Sequence, residues 1–164
     1  MKKLFILSIL AIVVAGGIFA QEEKAANARS NWVSGELGLW IESGLRYERM
    51  LNQHFSFGAI YFYGLISGNN VNAFARFYPW GKTFFAGAAL GYHAGPLMGD
   101  DITGIGVTPE FGWKIDVGDV GKFFIQPGVR VPIAFGMKKD SNTGESTFGV
   151  GSTAVIYFGM GGSF

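Results

Sequence analysis

The side chains able to do chemistry in this chain are few, and the charged ones fall in phase. Glu36, Arg46, Glu48, Arg76, Glu110, Lys114 and Arg130 each lie in a segment that alternates with a period of two, most of them on the small or polar side and Arg76 on a face with Phe74 and Tyr78. Four bases and three acids on one side of a set of strands can pair as a buried network that fixes register. They can also line a path for protons or ions. Nearly balanced charge in a narrow enclosed space favours pairing.

Other chemistry is thinly supported. The two histidines are His54 and His93. Neither has a serine and an acid at a spacing that makes a nucleophile, base and orienting acid, so hydrolase chemistry is not expected. His93 with Asp100 and Asp101 offers at most a weak cation site, and solvated loop residues are the simpler reading. The chain has no cysteine, which removes thiolate chemistry, cysteine metal sites and a disulfide framework. Gly87-Ala88-Ala89-Leu90-Gly91 and Gly149-Val150-Gly151 lack the strand-to-helix setting of a phosphate loop. Lys138-Lys139-Asp140-Ser141-Asn142 reads as a solvated loop tip. The expectation is a non-enzymatic protein without cofactor or metal.

The elements that must position the seven charges follow from composition. Charged residues make up 15% of the chain, against roughly 25% in soluble domains. Aromatic residues make up 16%, and glycine accounts for 26 of 164 positions. Apart from the first twenty residues, no apolar run approaches the length of a membrane-spanning helix. Apolar character without long apolar runs requires alternation, and alternation means strands.

The first twenty residues are a separate matter. Met1-Lys2-Lys3, the apolar run Leu4 to Ile18, and Phe19-Ala20 before Gln21-Glu22-Glu23-Lys24 have the pattern of a signal peptide cleaved after Ala20. Residues 21–30 read as a flexible periplasmic leader, and 31–164 as one domain. Without Lys2 and Lys3, 11 basic and 12 acidic residues remain, a net charge of −1. No basic excess survives to suggest nucleic acid.

Turn-like clusters divide 31–164 into eight predicted strands: Trp32–Trp40, Leu45–Leu51, Phe55–Ile66, Val71–Pro79, Thr83–His93, Gly106–Ile115, Phe123–Phe135 and Thr147–Phe164. The short gaps Asn52–His54, Trp80–Lys82 and Asp116–Lys122 read as periplasmic turns. Glu42–Gly44, Ser67–Asn70, Ala94–Gly104 and Gly136–Ser146 read as external loops. The sixth strand shows the pattern: Val107, Pro109, Phe111, Trp113 and Ile115 on one face, Thr108, Glu110, Gly112 and Lys114 on the other. A charge facing lipid at mid-bilayer costs about 2–4 kcal/mol, so the charged face must line the lumen. Arg49 falls on the opposite face, near the periplasmic end, where it can snorkel. Aromatic residues flank the turns at both ends of the strands, as the two girdles of a membrane barrel do. Eight strands leave an interior just wide enough for side chains to fill. Ile60, Phe62, Phe74 and Pro132 point inward above the charges, where packing or an apolar vestibule for a small hydrophobic molecule would place them.

The last strand is the most telling. Phe164, Met160, Phe158 and Ile156 share an apolar face, with Gly161, Gly159 and Tyr157 opposite. Together with Gly44-Leu45-Arg46-Tyr47-Glu48-Arg49, Ala75-Arg76-Phe77-Tyr78-Pro79 before Phe84-Phe85-Ala86-Gly87-Ala88, and Gly112-Trp113-Lys114, this tail resembles the small outer-membrane β-barrels of bacteria, of the OmpA, OmpX and OmpW-like type. The chain departs from that pattern at Gly162, where the terminal signature usually carries a larger apolar residue. The resemblance implies an all-β, eight-stranded antiparallel up-and-down transmembrane barrel with short periplasmic turns. It implies a monomer in outer-membrane lipid, whose Phe164, Met160, Phe158 and Ile156 act as the signal to the barrel-assembly machinery. The functional expectation is a structural or surface-exposed role with a filled lumen. The alternatives are a narrow passage or binding site for small hydrophobic solutes, and a secreted soluble ligand-binding barrel.

Overall fold

The computed structural model describes residues 31–39, 41–80, 83–97, 100–117, 123–139 and 144–164. The expected signal peptide (1–20) and leader (21–30) lie outside the described residues. Alternation in the sequence becomes alternation in space. The first five strands are Asn31–Gly38, Glu42–Met50, Phe55–Gly64, Gly68–Phe77 and Phe84–Leu97. The sixth is Asp100–Trp113, continued past Lys114 by Ile115–Val117. The seventh is Phe123–Arg130 and Ile133–Lys139, and the eighth is Ser146–Ser152 and Val155–Ser163.

Every strand pairs antiparallel with its chain neighbours, and the first pairs with the last, Trp32 opposite Ser163 and Gly38 opposite Tyr157. The result is a closed, eight-stranded antiparallel β-barrel, which has no open edge around the girth where strands one and eight meet. The interruptions in strands seven and eight lie side by side. Val131 N–H donates to Pro109 C=O at 2.9 Å, and Thr153 N–H donates to Pro132 C=O at 3.1 Å. Pro132 supplies no N–H of its own, so the ladder breaks there, yet inside and outside keep alternating through the break.

Strand ends differ from expectation in one consistent way. Glu42–Gly44 belongs to the second strand rather than to a loop, and most of Ala94–Gly104 extends the fifth and sixth strands as one long hairpin. Glycine and polar residues there suggested loops. Cross-strand pairing from Ala94 with Thr103 to Leu97 with Asp100 holds them in the sheet instead. Strands five to eight therefore rise further from the end holding Asn31 and Phe164, called the terminal end below, than strands one to four.

The short first hairpin stores strain. Ile41 has φ 59°, a left-handed conformation in which a β-branched side chain crowds its own backbone. Ile41→Gly is expected to stabilise the barrel by about 1 kcal/mol, read as a higher denaturant midpoint. An unchanged midpoint would show that the hairpin relaxes at no cost.

Polarity is inverted relative to a soluble domain. Large apolar side chains such as Leu37, Leu45, Leu90, Ile105, Phe158 and Met160 are exposed around the outside, while Glu36, Arg46, Glu48, Arg76, Glu110, Lys114 and Arg130 are buried inside. Phe55, Phe77, Phe84 and Trp113 form tilted and edge-on ring pairs on the outer surface near the terminal end. Phe164, Met160, Phe158 and Ile156 all lie on this exposed apolar face.

Candidate functional site: the charged lumen

The inward positions build the interior in layers. Nearest the terminal end, Trp32, Met50, Tyr78, Phe85, Phe124 and Tyr157 pack as one buried cluster. Lys114 reaches into it, its Nζ 3.0 Å from the centroid of the Trp32 ring. That ammonium donates to Glu48 Oε2 at 2.8 Å. Glu48 also accepts from Ser56 Oγ and Tyr78 Oη, each at 2.5 Å. Three strands thus converge on one carboxylate.

The next layer is carried by two arginines. Arg76 donates from Nη1 to Glu48 Oε2 at 3.0 Å and to Gln126 Oε1 at 3.0 Å. Its Nε donates to Glu110 Oε1 at 2.7 Å and its Nη2 to Glu110 Oε2 at 3.2 Å. Arg46 binds the same carboxylate in a fork, Nη1 to Oε1 at 2.9 Å and Nη2 to Oε2 at 2.8 Å. The planar guanidinium suits this two-point grip. Arg46 Nε then donates to Glu36 Oε1 at 2.5 Å, and Arg130 Nη1 to Glu36 Oε2 at 2.6 Å. Arg130 Nη2 donates to Glu42, which also accepts from Ser67 Oγ.

All seven charges expected in the lumen therefore stand there and join one ladder: Lys114, Glu48, Arg76, Glu110, Arg46, Glu36, Arg130. Glu42, expected in a loop, is an eighth member. The signal was present, because Glu42 is in phase with Arg46 and Glu48 at a period of two. With Glu42 counted, four acids face four bases and the ladder is neutral. Every one of the eight is buried. Aromatic faces complete the arginine environment: Arg76 lies over Phe85 at 3.8 Å, Arg46 over Phe74 at 4.5 Å, and Arg130 over Phe62 and Tyr157, both at 4.5 Å. Such contacts satisfy the guanidinium faces that no hydrogen bond can reach.

Glycine makes room for these rings. A Cβ on Gly128 would stand 2.7 Å from both Cζ and Oη of Tyr157. Gly128→Ala must push that ring, and with it the hydroxyl that accepts from Arg76 Nη2 at 3.2 Å. A loss of about 1–3 kcal/mol is expected, measured as the denaturant midpoint of the refolded barrel. A midpoint equal to that of the unaltered chain would show the ring is free to move.

Ile60, Phe62, Phe74 and Ala89 form a buried cluster interleaved with the charges, not above them: Ile60 pairs with Arg46, Arg46 lies over Phe74 and Arg130 over Phe62. Phe62 is 0% exposed, and these side chains pack against one another. Pro132 is buried in the break of strand seven and is not part of that cluster. Leu97, Ile102 and Ala134 form a further buried cluster, on strands five, six and seven. Between the two clusters lies a polar layer. His93 is 0% exposed, which corrects its expected place as a solvated loop residue. Its Nδ1 faces Asn70 Oδ1 at 2.9 Å and its Nε2 faces Gly95 C=O at 3.2 Å, while Asn70 Nδ2 donates to Ser67 C=O at 2.8 Å. Asp100 instead pairs with Lys138 at the exposed rim, at 2.6 Å. Among the described residues no group of three or more acids, histidines or cysteines could hold a metal ion. Arg49, out of phase with Arg46 and Glu48, is buried near the terminal end, where a snorkelling, solvated side chain is the expectation.

The fold and the site together define a class: a small closed barrel, apolar outside, with a neutral ladder of buried ion pairs inside. Compared with protein-family models, curated proteins and solved structures, the chain matches none.

Proposed function

We propose that the chain is an integral outer-membrane β-barrel protein with a structural, non-enzymatic role, and that its lumen is a plug rather than a pore. The observation that carries the reading is the inversion of polarity around a closed barrel: apolar side chains outside, every ladder charge inside. In water that outer face would be a large aggregation-prone surface; in hydrocarbon it is the stable arrangement, and closure leaves no strand edge unpaired around the girth. The ladder gives the lumen its plug. Its charges bind one another across the interior, so a permeating ion would have to displace a buried pair. The exposed face of Phe164, Met160, Phe158 and Ile156 is the part the barrel-assembly machinery would read, and export would use the expected signal peptide.

A passage for small hydrophobic solutes is the weaker reading, because Ile60, Phe62 and Phe74 are packed against one another rather than held apart. A secreted soluble barrel would need polar outward faces, and Leu37, Leu45 and Leu90 are exposed instead.

The test is electrophoretic mobility in SDS, with and without boiling, of protein recovered from the membrane fraction, followed by conductance in a planar bilayer. A heat-dependent shift with no discrete conductance is the expected pair of results. Protein in the soluble periplasmic fraction would overturn the membrane reading, and stable unitary currents would overturn the plug.

A further inference from the structure

The wall closes only as high as strand one reaches. Strand one bonds to strand eight from the terminal end, where Phe164 N–H donates to Asn31 C=O, up to Leu39 N–H, which donates to Ile156 C=O at 2.8 Å. The chain then turns away through Ile41, whose left-handed backbone carries the strain of that turn. Strand eight goes on without it. Its upper part, Ser146–Ser152, pairs with strand seven on one side, and among the described residues no strand pairs with it on the other.

The groups left open there can be named. Strands seven and eight keep one register through the break at Pro132. Thr153 N–H donates to the C=O of Pro132, its partner in that register. Backbone groups of alternate residues in an antiparallel strand point to opposite neighbours. Thr147, Gly149 and Gly151, in phase with Thr153, therefore bond to strand seven. Ser146, Phe148, Val150 and Ser152, in phase with Ile156, turn N–H and C=O toward the place strand one has left. The open row runs for roughly 20 Å.

Exposed strand edges are normally blunted by charge, proline or a bulge. Ser146–Ser152 carries no charge and no proline, and its pairing with strand seven has no bulge. Phe148 is 73% and Val150 55% exposed on its outward side. Aromatic and β-branched side chains of this kind stabilise a cross-strand neighbour.

We propose that this edge is the docking site for an extended peptide segment of another protein, which adds as a strand directly above strand one. The docked segment continues an interface the fold already has, because the same row of backbone groups holds strand one below. Main-chain bonds supply the affinity, and side chains opposite Phe148 and Val150 supply the selectivity. Antiparallel pairing with the same edge of a second copy would stand one barrel upside down relative to the other, so two copies in one membrane do not satisfy it. The site belongs to the barrel wall and stands whether the outer face meets lipid or water; only the choice of a foreign segment over a second copy rests on the membrane reading.

The probe is a blocked peptide of alternating Thr and Val, as long as the seven-residue edge, titrated into the detergent-folded protein while amide hydrogen exchange along strand eight is followed by NMR. In the free protein the amides of Phe148, Val150 and Ser152 are expected to exchange about tenfold or more faster than those of Gly149 and Gly151. Saturable peptide binding is expected to slow the first set to the rate of the second. The same peptide N-methylated throughout is expected not to bind. Val150→Pro removes one outward N–H and no bond to strand seven, and is expected to weaken binding at least about tenfold while keeping the heat-dependent gel shift. Equal protection of both sets in the free protein at every concentration overturns the open edge. Protection that rises with protein concentration alone assigns the edge to a second copy and overturns the foreign segment. No saturable slowing, or binding that survives N-methylation, overturns strand addition.

Discussion

Glu110→Ala is expected to cost the barrel about 3–5 kcal/mol, the range seen when one partner of a buried ion pair is removed. The reason is the load on that one carboxylate. It accepts a fork from Arg46, two further bonds from Arg76, and the Tyr157 hydroxyl at 3.3 Å. Removing it leaves two guanidiniums facing each other in a space closed to water. The cost is the burial of unbalanced charge, not the loss of five separate bonds. Two comparisons separate these accounts. Arg76→Ala added to Glu110→Ala removes one of the stranded cations and is expected to recover part of the loss, an interaction visible in a double-mutant cycle. Lys138→Ala at the rim breaks an ion pair whose partners are each 41% exposed, where about 0–1 kcal/mol is at stake. The measurement is the temperature at which the folded band disappears in SDS, alongside the denaturant midpoint. Melting of Glu110→Ala at the temperature of the unaltered chain would mean the ladder contributes nothing to holding the barrel together.

The charged interior is largely legible in the sequence. A charge inside a barrel has to sit on the inward face of its strand, and the face is set by a period of two. Arg76 with Phe74 and Tyr78, or Glu110 with Thr108 and Lys114, can be assigned by counting alone. Strand ends obey no such rule. Glu42 was lost because Glu42-Ser43-Gly44 looks like a turn, while the pairing of Glu42 with both Gly38 and Gly64 keeps it in the sheet. His93 was lost for the same reason: Ala94-Gly95-Pro96 reads as a loop, and the hairpin continues through it. Which acid grips which base was not legible at all. Arg46 and Glu110 are 64 residues apart and meet across the lumen only because closure brings opposite walls together.

Leu45→Arg carries the sharpest test of what surrounds the barrel. Leu45 and Arg46 are neighbours in one strand and point to opposite faces; Leu45 is 60% exposed and Arg46 2%. Leu45 sits between Gly35 and Tyr61 in the ladder, well inside the apolar outer surface. The substitution thus adds a guanidinium on the outer face, one residue away from the neutral network that holds Arg46 inside. If that face meets hydrocarbon, the substitution costs about 2–4 kcal/mol at mid-bilayer depth and less toward the interfaces. If it meets water, an exposed leucine becomes an exposed arginine, and the effect stays within about 0.5 kcal/mol. The interior is untouched in either case, so the ladder and the closure of the wall remain as internal controls. The readout is the reversible folding free energy into lipid vesicles, taken beside the midpoint in detergent, where a long side chain can reach water more easily. A loss confined to vesicles would place Leu45 against lipid. Equal stability in both would remove the membrane from the account and leave a soluble barrel with an apolar coat still to be covered.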